Sequence, residues 1–276
     1  RVKGYRNLLN KLWNANNFLI QNKCNFSEKK PKKFNLNINN WIFNELVKIK
    51  KEVETKIKEY RFDEASRLIY QFVWNSYCDW YLELSKTILY SNDKQNIKET
   101  RDVSGFIFTQ ILILMHPFIP FVTEEIWLKN KLDKSGKNYL MFSNWINEKP
   151  IKNNEIKNVE NIINFTSSLR SFKNELNISP GSFVDISLGS IKNKKSNFYT
   201  KNENTLKKIA RVNNFFNKDL DKPSATMVIG GDIIKIYFEE NINLKTIKEN
   251  LLKKQNKYNS EMEGINKRLQ NKNFVD

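Results

Sequence analysis

Apolar side chains recur three and four residues apart in four stretches of the first half of the sequence, a spacing typical of amphipathic helices. In the first stretch, Leu8, Leu12, Ala15 and Leu19 form one stripe and predict a helix that lies against other helices. The same spacing predicts three further helices, at residues 40–60, 63–84 and 104–115. Four helices joined by modest loops favour an antiparallel bundle.

The expected helix ends follow from capping residues and prolines. Asn40 and Asp63 are candidate N-caps of the second and third helices. The polar residues 91–102 predict a loop before the fourth helix, and Pro117 ends that helix because proline has no backbone N–H to donate. Thr123 is then expected to cap a short helix.

The sequence pattern changes near residue 148. A helix is expected at residues 155–177, followed by a strand at 184–188, where apolar and polar residues alternate. The Gly230-Gly231 pair predicts a β-hairpin at residues 226–236, because glycine adopts the positive φ angles of a two-residue turn. We therefore expect a mainly α fold in three domains: a helix bundle at 1–147, a small α/β module at 148–241 and a coiled-coil arm at 242–276.

The arm is predicted from apolar side chains at spacings of three, four and seven in the last part of the sequence. No second arm follows it, and the sequence does not begin with methionine; its first methionine is Met115. These features predict that the sequence is part of a longer protein.

The formal net charge is +17, with 47 Lys and Arg against 30 Asp and Glu. Such a basic domain commonly binds a polyanion, because phosphate contacts release counterions. A genome rich in A and T, which favours Lys, Asn and Ile codons, is the alternative cause of this composition. No apolar run approaches the roughly 20 residues that a membrane-spanning helix needs.

The residues best suited to catalysis are scarce. Cys24 and Cys78 are too few for a disulfide framework or a four-cysteine metal site, and we expect both to be small core residues in a reducing cytosol. His116 is the single histidine, which limits general acid–base chemistry to other residue types.

Three stretches and the tail of the sequence carry a resemblance to a known family. They are residues 4–15 (GYRNLLNKLWNA), 60–86 (with CDWYLE at 78–83), 116–127 (HPFIPFVTEEIW) and 267–275 (KRLQNKNFV). The sequence resembles the valyl-tRNA synthetase family of class I aminoacyl-tRNA synthetases over nearly its whole length, most weakly between about 145 and 240. The third stretch also fits the isoleucine and leucine enzymes, whereas the CDWYLE block is more specific to valine enzymes.

This resemblance implies that the bundle is an anticodon-binding domain that recognises the anticodon stem-loop of tRNA(Val). A catalytic domain outside the sequence would then attach valine with ATP and Mg²⁺. The implied partners are tRNA(Val) and the catalytic and editing domains of the same protein, in a monomeric cytoplasmic enzyme with no membrane contact. The sequence has no His-Ile-Gly-His signature, so we expect no cofactor, no metal and no activity for this chain alone.

Two alternatives remain open from the sequence. One is the same region of an isoleucyl- or leucyl-tRNA synthetase. The other is a non-enzymatic RNA-binding protein that reuses the bundle.

The candidate tRNA-binding residues lie on the first helix and in the basic loop that follows it. Exposed bases of single-stranded RNA are recognised by stacking and by hydrogen bonds to their edges, and phosphates by lysines. We expect Arg6, Asn10 and Asn17 to contact bases or the stem, while stacking and core packing both remain open for Trp13. The full set is Arg6, Asn10, Lys11, Asn14, Asn17, Phe18, Lys23, Lys29, Lys30, Lys32 and Lys33, with Lys253, Lys254, Lys257, Lys267 and Arg268 on the coiled-coil arm.

Several other motifs have a structural explanation. Trp74, Trp80 and Tyr81 share one helix and are expected in the core. Asp79 and Glu83 lie four residues apart, and we expect local ion pairs rather than a catalytic carboxylate pair.

Two further motifs invite a catalytic interpretation that we do not favour. His116 is expected to hydrogen-bond within the proline-rich turn or to cap the preceding helix. Residues 131–135 (KLDKS) resemble the ATP-phosphate loop of class I synthetases, but they follow the bundle instead of preceding it. We therefore expect a solvated connector there.

Overall fold

The computed structural model describes residues 2–132, 139–189, 193–221, 225–229, 231–238 and 244–270. The chain forms two compact units, Arg1–Ile163 and Asn164–Asp276. The first unit is helical and the second contains a small mixed sheet, which confirms the predicted fold class. The domain boundaries at 147 and 241 stay predictions.

The first unit is a bundle arranged around one buried helix. Residues 103–115 of this helix, α5, are all buried, and a helix buried on every side lies at the centre of its bundle. The elements of the unit are α1 (Val2–Gln21), α2 (Asn37–Lys58), α3 (Phe62–Gln71), a π-helical segment (Phe72–Tyr81), α4 (Leu82–Leu89), α5 (Lys94–Met115), α6 (Pro120–Lys129) and a 3₁₀ turn (Leu140–Phe142).

The apolar stripe of α1 is buried as predicted. Leu8, Leu12, Ala15 and Leu19 are each at most 7% exposed. The opposite side of the same helix is therefore the side that faces solvent.

The predicted start of α5 was wrong by ten residues. The helix begins at Lys94, because the Asp93 carboxylate caps it by accepting the N–H groups of Gln95 and Asn96, both at 3.0 Å. Its first turns are polar because they lie at the surface of the bundle. What was expected to be a loop at 91–102 is therefore mostly helix.

The start of α2 is held by another helix and not by its own cap. Asn40 is buried within the first turn and does not cap, so that prediction was wrong. Instead Glu99 Oε1 on α5 accepts the N–H groups of Asn35 and Leu36 and the side-chain N–H of Asn39, each at 2.9 Å. The Glu99 carboxylate thereby takes the place of an N-cap of α2.

The helix predicted at 63–84 is interrupted by the π-helical segment, which the sequence did not indicate. Asp63 lies in the first turn of α3 and makes no cap, since the helix begins at Phe62. Tyr81 is fully buried, as predicted, and its hydroxyl lies 3.0 Å from Ser104 Oγ of α5. Trp74 and Trp80 are only half-buried, so they lie at the margin of the core.

The proline-rich turn before α6 contains the hydrogen bond expected for His116. Its Nδ1 lies 2.9 Å from Thr123 Oγ1. Pro120 occupies the first turn of α6, where no N–H is needed, and Thr123 lies inside the helix. The prediction that Thr123 caps this helix was therefore wrong.

The second unit is built on a four-stranded sheet of order β2-β1-β4-β3. Strands β1 and β2 are parallel, and β4 is antiparallel to both β1 and β3. The predicted hairpin is confirmed, with Gly231 at φ 84° in its turn. The elements are most of α7 (Ile156–Glu175), then β1 (Val184–Ser187), α8 (Asn193–Lys201), α9 (Glu203–Ala210), β2 (Val212–Phe216), β3 (Ala225–Ile229), β4 (Asp232–Phe238) and α10 (Leu244–Leu269).

Helix α10 coincides with the predicted coiled-coil arm. Its apolar seam is exposed: Tyr258, Met262, Ile265 and Leu269 are 56–64% accessible. The helix is confirmed, and its pairing into a coiled coil stays a prediction. No described helix is long and apolar enough to cross a membrane.

Close approach between α5 and the loop after α1 depends on Gly105. A Cβ atom built there would lie 2.1 Å from the backbone oxygen of Asn25. The Asn25 oxygen belongs to the backbone, so no side-chain rotation can relieve this clash. The loop itself would have to move. Glycine at 105 therefore fixes where the loop sits on the bundle.

We predict that Gly105→Ala destabilises the bundle by about 1–3 kcal/mol, because overpacking against backbone outweighs the better helix propensity of alanine. Gly264→Ala is the matched control, since nothing lies within 4 Å of a Cβ on that α10 glycine. The control should leave bundle unfolding unchanged. Denaturant titration measures the free energy of unfolding of both variants. A Gly105→Ala protein as stable as the parent would contradict the close packing of the loop against α5.

Candidate nucleic-acid interface

The solvent side of α1 is a stripe of polar side chains without acidic residues. Arg6, Asn10 and Asn14 follow each other at intervals of four residues and are exposed, and Asn17 continues the stripe half-buried. Residues spaced in this way share one face of a helix. The face therefore offers amide donors, amide acceptors and one guanidinium to a ligand.

Lys11 differs from these residues because its ammonium group already has partners within the bundle. Its ammonium forms an ion pair with Asp79 and lies 3.9 Å from the ring centroid of Trp74. Both partners belong to the π-helical segment, so Lys11 fixes α1 against that segment. Glu83 has its own partner, Lys86, at 2.6 Å, which confirms local ion pairing of the two carboxylates.

Trp13 and Phe18 of α1 are half-buried. The Lys129 ammonium lies 4.4 Å from the ring centroid of Trp13, and that of Lys86 lies 5.6 Å from Phe18. Each ring thus already has a cation over it. Each side chain is therefore neither a fully buried core residue nor a ring that is free for a base to stack on.

The basic loop, residues 22–36, is anchored to the bundle by apolar side chains. Cys24 is buried and its N–H donates to Leu19 O at 2.9 Å. Phe26 packs edge-on against Phe108, and Phe34 lies 5.0 Å from Phe43 between ring centroids. These anchors leave the lysines between them at the surface.

Four of the five lysines of the basic loop are exposed, and one is paired. Lys23, Lys29, Lys32 and Lys33 are exposed. Lys30 forms a 3.0 Å ion pair with Glu148, and its ammonium lies 4.5 Å from the Phe43 ring centroid. The lysines therefore divide into exposed cations and one structural cation.

A cleft of about 430 Å³ opens between the basic loop and the first turns of α5. We call it the loop–α5 cleft. Lysines outnumber carboxylates around it, so its potential is positive. Its polar lining includes Asn25, Lys29, Lys32, Lys33, Lys98 and Asp102.

Sequence reasoning missed the α5 side of this cleft. Lys98 and Asp102 were assigned to a loop, because residues 94–102 contain few apolar positions. Asp93, a good N-cap residue followed by helix-forming residues, was the available signal.

The basic residues predicted on the coiled-coil arm lie on α10. Lys253, Lys257, Lys267 and Arg268 are exposed, and Lys257 lies 3.7 Å from Glu261. The Lys254 side chain lies outside the described residues.

The two cysteines are buried, and the described residues form no metal-holding cluster. No group of three or more His, Cys, Asp or Glu side chains among them could hold a metal ion. Burial raises the pKa of the Cys24 and Cys78 thiols to about 12, so both stay protonated near neutral pH, as expected of core residues. The 131–135 motif falls largely outside the described residues, which end at 132 before this gap.

A polar helix face that carries amides and one guanidinium, beside exposed lysines on a helix bundle, suits the recognition of RNA. Residues 39–188, more than half of the chain, match the family described as the anticodon-binding domain of tRNA ligase. The chain belongs to this family. Helix α1 and the whole basic loop precede the matched residues.

Individual relatives narrow the similarity to one kind of ligase. The chain is 57% identical, over its full length, to a valine–tRNA ligase of Pelagibacter ubique. It is 32% identical to valine–tRNA ligases of Prochlorococcus marinus and Zymomonas mobilis, again over its full length. The chain spans about a third of the length of these relatives, at 31–32%.

We predict that replacing Lys29, Lys32 and Lys33 together with Ala flattens the salt dependence of RNA binding. Each lost phosphate contact should reduce the slope of log K against log salt by about 0.7–0.9. Lys30→Ala is the matched control, and its slope should not change, because Lys30 is paired with Glu148. Titrations of one RNA hairpin at several salt concentrations measure the slopes; equal slopes for the parent and the triple variant would exclude phosphate contacts in this loop.

Proposed function

We propose that this chain is the tRNA-recognition part of a valine–tRNA ligase and binds the anticodon stem-loop of tRNA(Val). The observation that carries the proposal is the α1 face of Arg6, Asn10 and Asn14, which is exposed and lies on the helix that runs directly into the basic loop. The family match and the valine–tRNA ligase relatives support the same partner.

The two surfaces have different roles in this proposal. Side chains of α1 contact the edges of anticodon bases, because amides and guanidinium groups pair with base edges in directional hydrogen bonds. Exposed lysines of the loop contact phosphates and supply affinity without sequence preference. Lys11 and Lys30 hold the interface in place through their partners within the bundle.

The genetic code determines which anticodon bases distinguish valine tRNAs from other tRNAs. Valine codons share their first two bases, so all valine anticodons have adenine as the second base and cytosine as the third. Asparagine forms a bidentate pair with adenine N6 and N7, which suits the amides of Asn10, Asn14 and Asn17. The stripe on α1 is therefore matched to the second anticodon base.

The remaining parts of the proposal concern the whole protein. Valine activation with ATP and Mg²⁺ would take place in its catalytic domain. The exposed cations of α10 would contact another part of the tRNA. We propose that the whole protein is a cytoplasmic monomer with catalytic and editing domains as its intramolecular partners.

We predict that Arg6→Ala and Asn10→Ala each cost about 1–3 kcal/mol in binding a valine anticodon stem-loop, because each removes a base-edge contact. The cost should be much smaller for a stem-loop altered at the second anticodon base, where the contact is not made. Arg67→Ala, which removes an exposed arginine of α3, is the control and should change neither affinity.

Isothermal titration of the two stem-loops with each variant separates these outcomes. Equal losses for both stem-loops would mean that α1 serves only as scaffold. Base recognition would then have to be assigned to other helices.

A further inference from the structure

The loop–α5 cleft contains a carboxylate that phosphate binding does not explain. Asp102 is half-buried and lines the cleft among four lysines, Lys29, Lys32, Lys33 and Lys98. Within the described residues, none of these lysines forms an ion pair with Asp102. A site built only for phosphate gains nothing from a carboxylate, since like charges repel.

The hydrogen bonds of Asp102 leave one of its oxygens available. Oδ1 accepts the side-chain N–H of Asn25, which fixes the carboxylate against the loop. Among the residues that the structure describes, no group donates to Oδ2. The other carboxylate that lines the cleft, Glu99, is only 6% exposed, and its Oε1 accepts three N–H groups of the loop end and α2. Asp102 is therefore the more accessible carboxylate that the cleft can offer to a ligand.

The cleft is large enough to admit an unstacked base. Its volume of about 430 Å³ lies in the range of about 300–1,000 Å³ that is usual for small-ligand pockets. Pro31 supplies an apolar surface on one wall. The lysines at the rim can neutralise the phosphates on either side of a base that enters.

We propose that the loop–α5 cleft binds the third anticodon base, cytosine, through a hydrogen bond from its exocyclic amino group to Asp102. Carboxylates accept from cytosine N4, whereas uracil presents a carbonyl oxygen there and is repelled. The inference rests on the proposed function, because it takes the ligand to be a valine anticodon loop. It assigns the third base to a part of the bundle other than the α1 face.

The test is a double-mutant cycle between Asp102→Ala and a stem-loop whose third anticodon base is pyrimidin-2-one, which lacks the amino group. For the parent chain, removal of the amino group should weaken binding about 5- to 30-fold. For Asp102→Ala, the same change in the RNA should have almost no further effect. If Asp102→Ala still discriminates by the parent's factor, or if the parent does not discriminate, the assignment is overturned.

Two further variants separate base contact from loop anchoring. Asn25→Ala removes the hydrogen bond to Asp102 but keeps the carboxylate, so it should retain the parent's discrimination. If Asn25→Ala and Asp102→Ala instead weaken all stem-loops equally, Asp102 only anchors the loop. Asp102→Asn preserves the shape of the side chain and should narrow the gap between cytosine and uracil, which keeps the test valid if the alanine variant does not fold.

Failure of the proposed function gives a different result. In that case the parent chain would bind valine and unrelated anticodon loops with equal affinity. A parent that prefers the valine loop, combined with an Asp102→Ala variant that still recognises the amino group, overturns the cleft assignment alone.

Discussion

The candidate interface depends on one buried carboxylate, that of Glu99 on the central helix α5. Only 6% of this residue is exposed, and its Oε1 accepts three N–H groups from the end of the basic loop and the start of α2. Hydrogen bonds to a charged acceptor contribute about 1.5–3 kcal/mol each, so this cluster outweighs a single helix cap. Together with Gly105, Glu99 fixes both ends of the basic loop on α5.

A rigid frame of this kind gives the surface residues distinct roles. Lys11 and Lys30 have carboxylate and aromatic partners inside the bundle, and they hold elements together. Arg6, Asn10 and Asn14 on α1 face solvent. Recognition of single-stranded RNA needs such preorganised donors and acceptors, because the ligand itself is flexible and loses entropy on binding.

Features encoded by neighbouring residues could be predicted from the sequence, and features encoded by distant contacts could not. The buried stripe of α1 and the hairpin at Gly231 follow from local spacing and turn chemistry. The cap of α2 could not be predicted, because Glu99 lies 60–64 residues from the groups it accepts. The loop–α5 cleft was missed because residues 94–102 were assigned to a loop, and because its two walls are separated in sequence by α2, α3, the π-helical segment and α4.

A transplant experiment tests whether this chain recognises the second and third anticodon bases of valine tRNA, as we propose. Those two bases are placed in the anticodon stem-loop of an unrelated tRNA, and its affinity is compared with that of the unaltered loop, which has equal length and charge. We expect the transplant to raise affinity at least about tenfold, as for a base-edge contact. Equal affinities would contradict the proposal, because binding would then depend on charge alone.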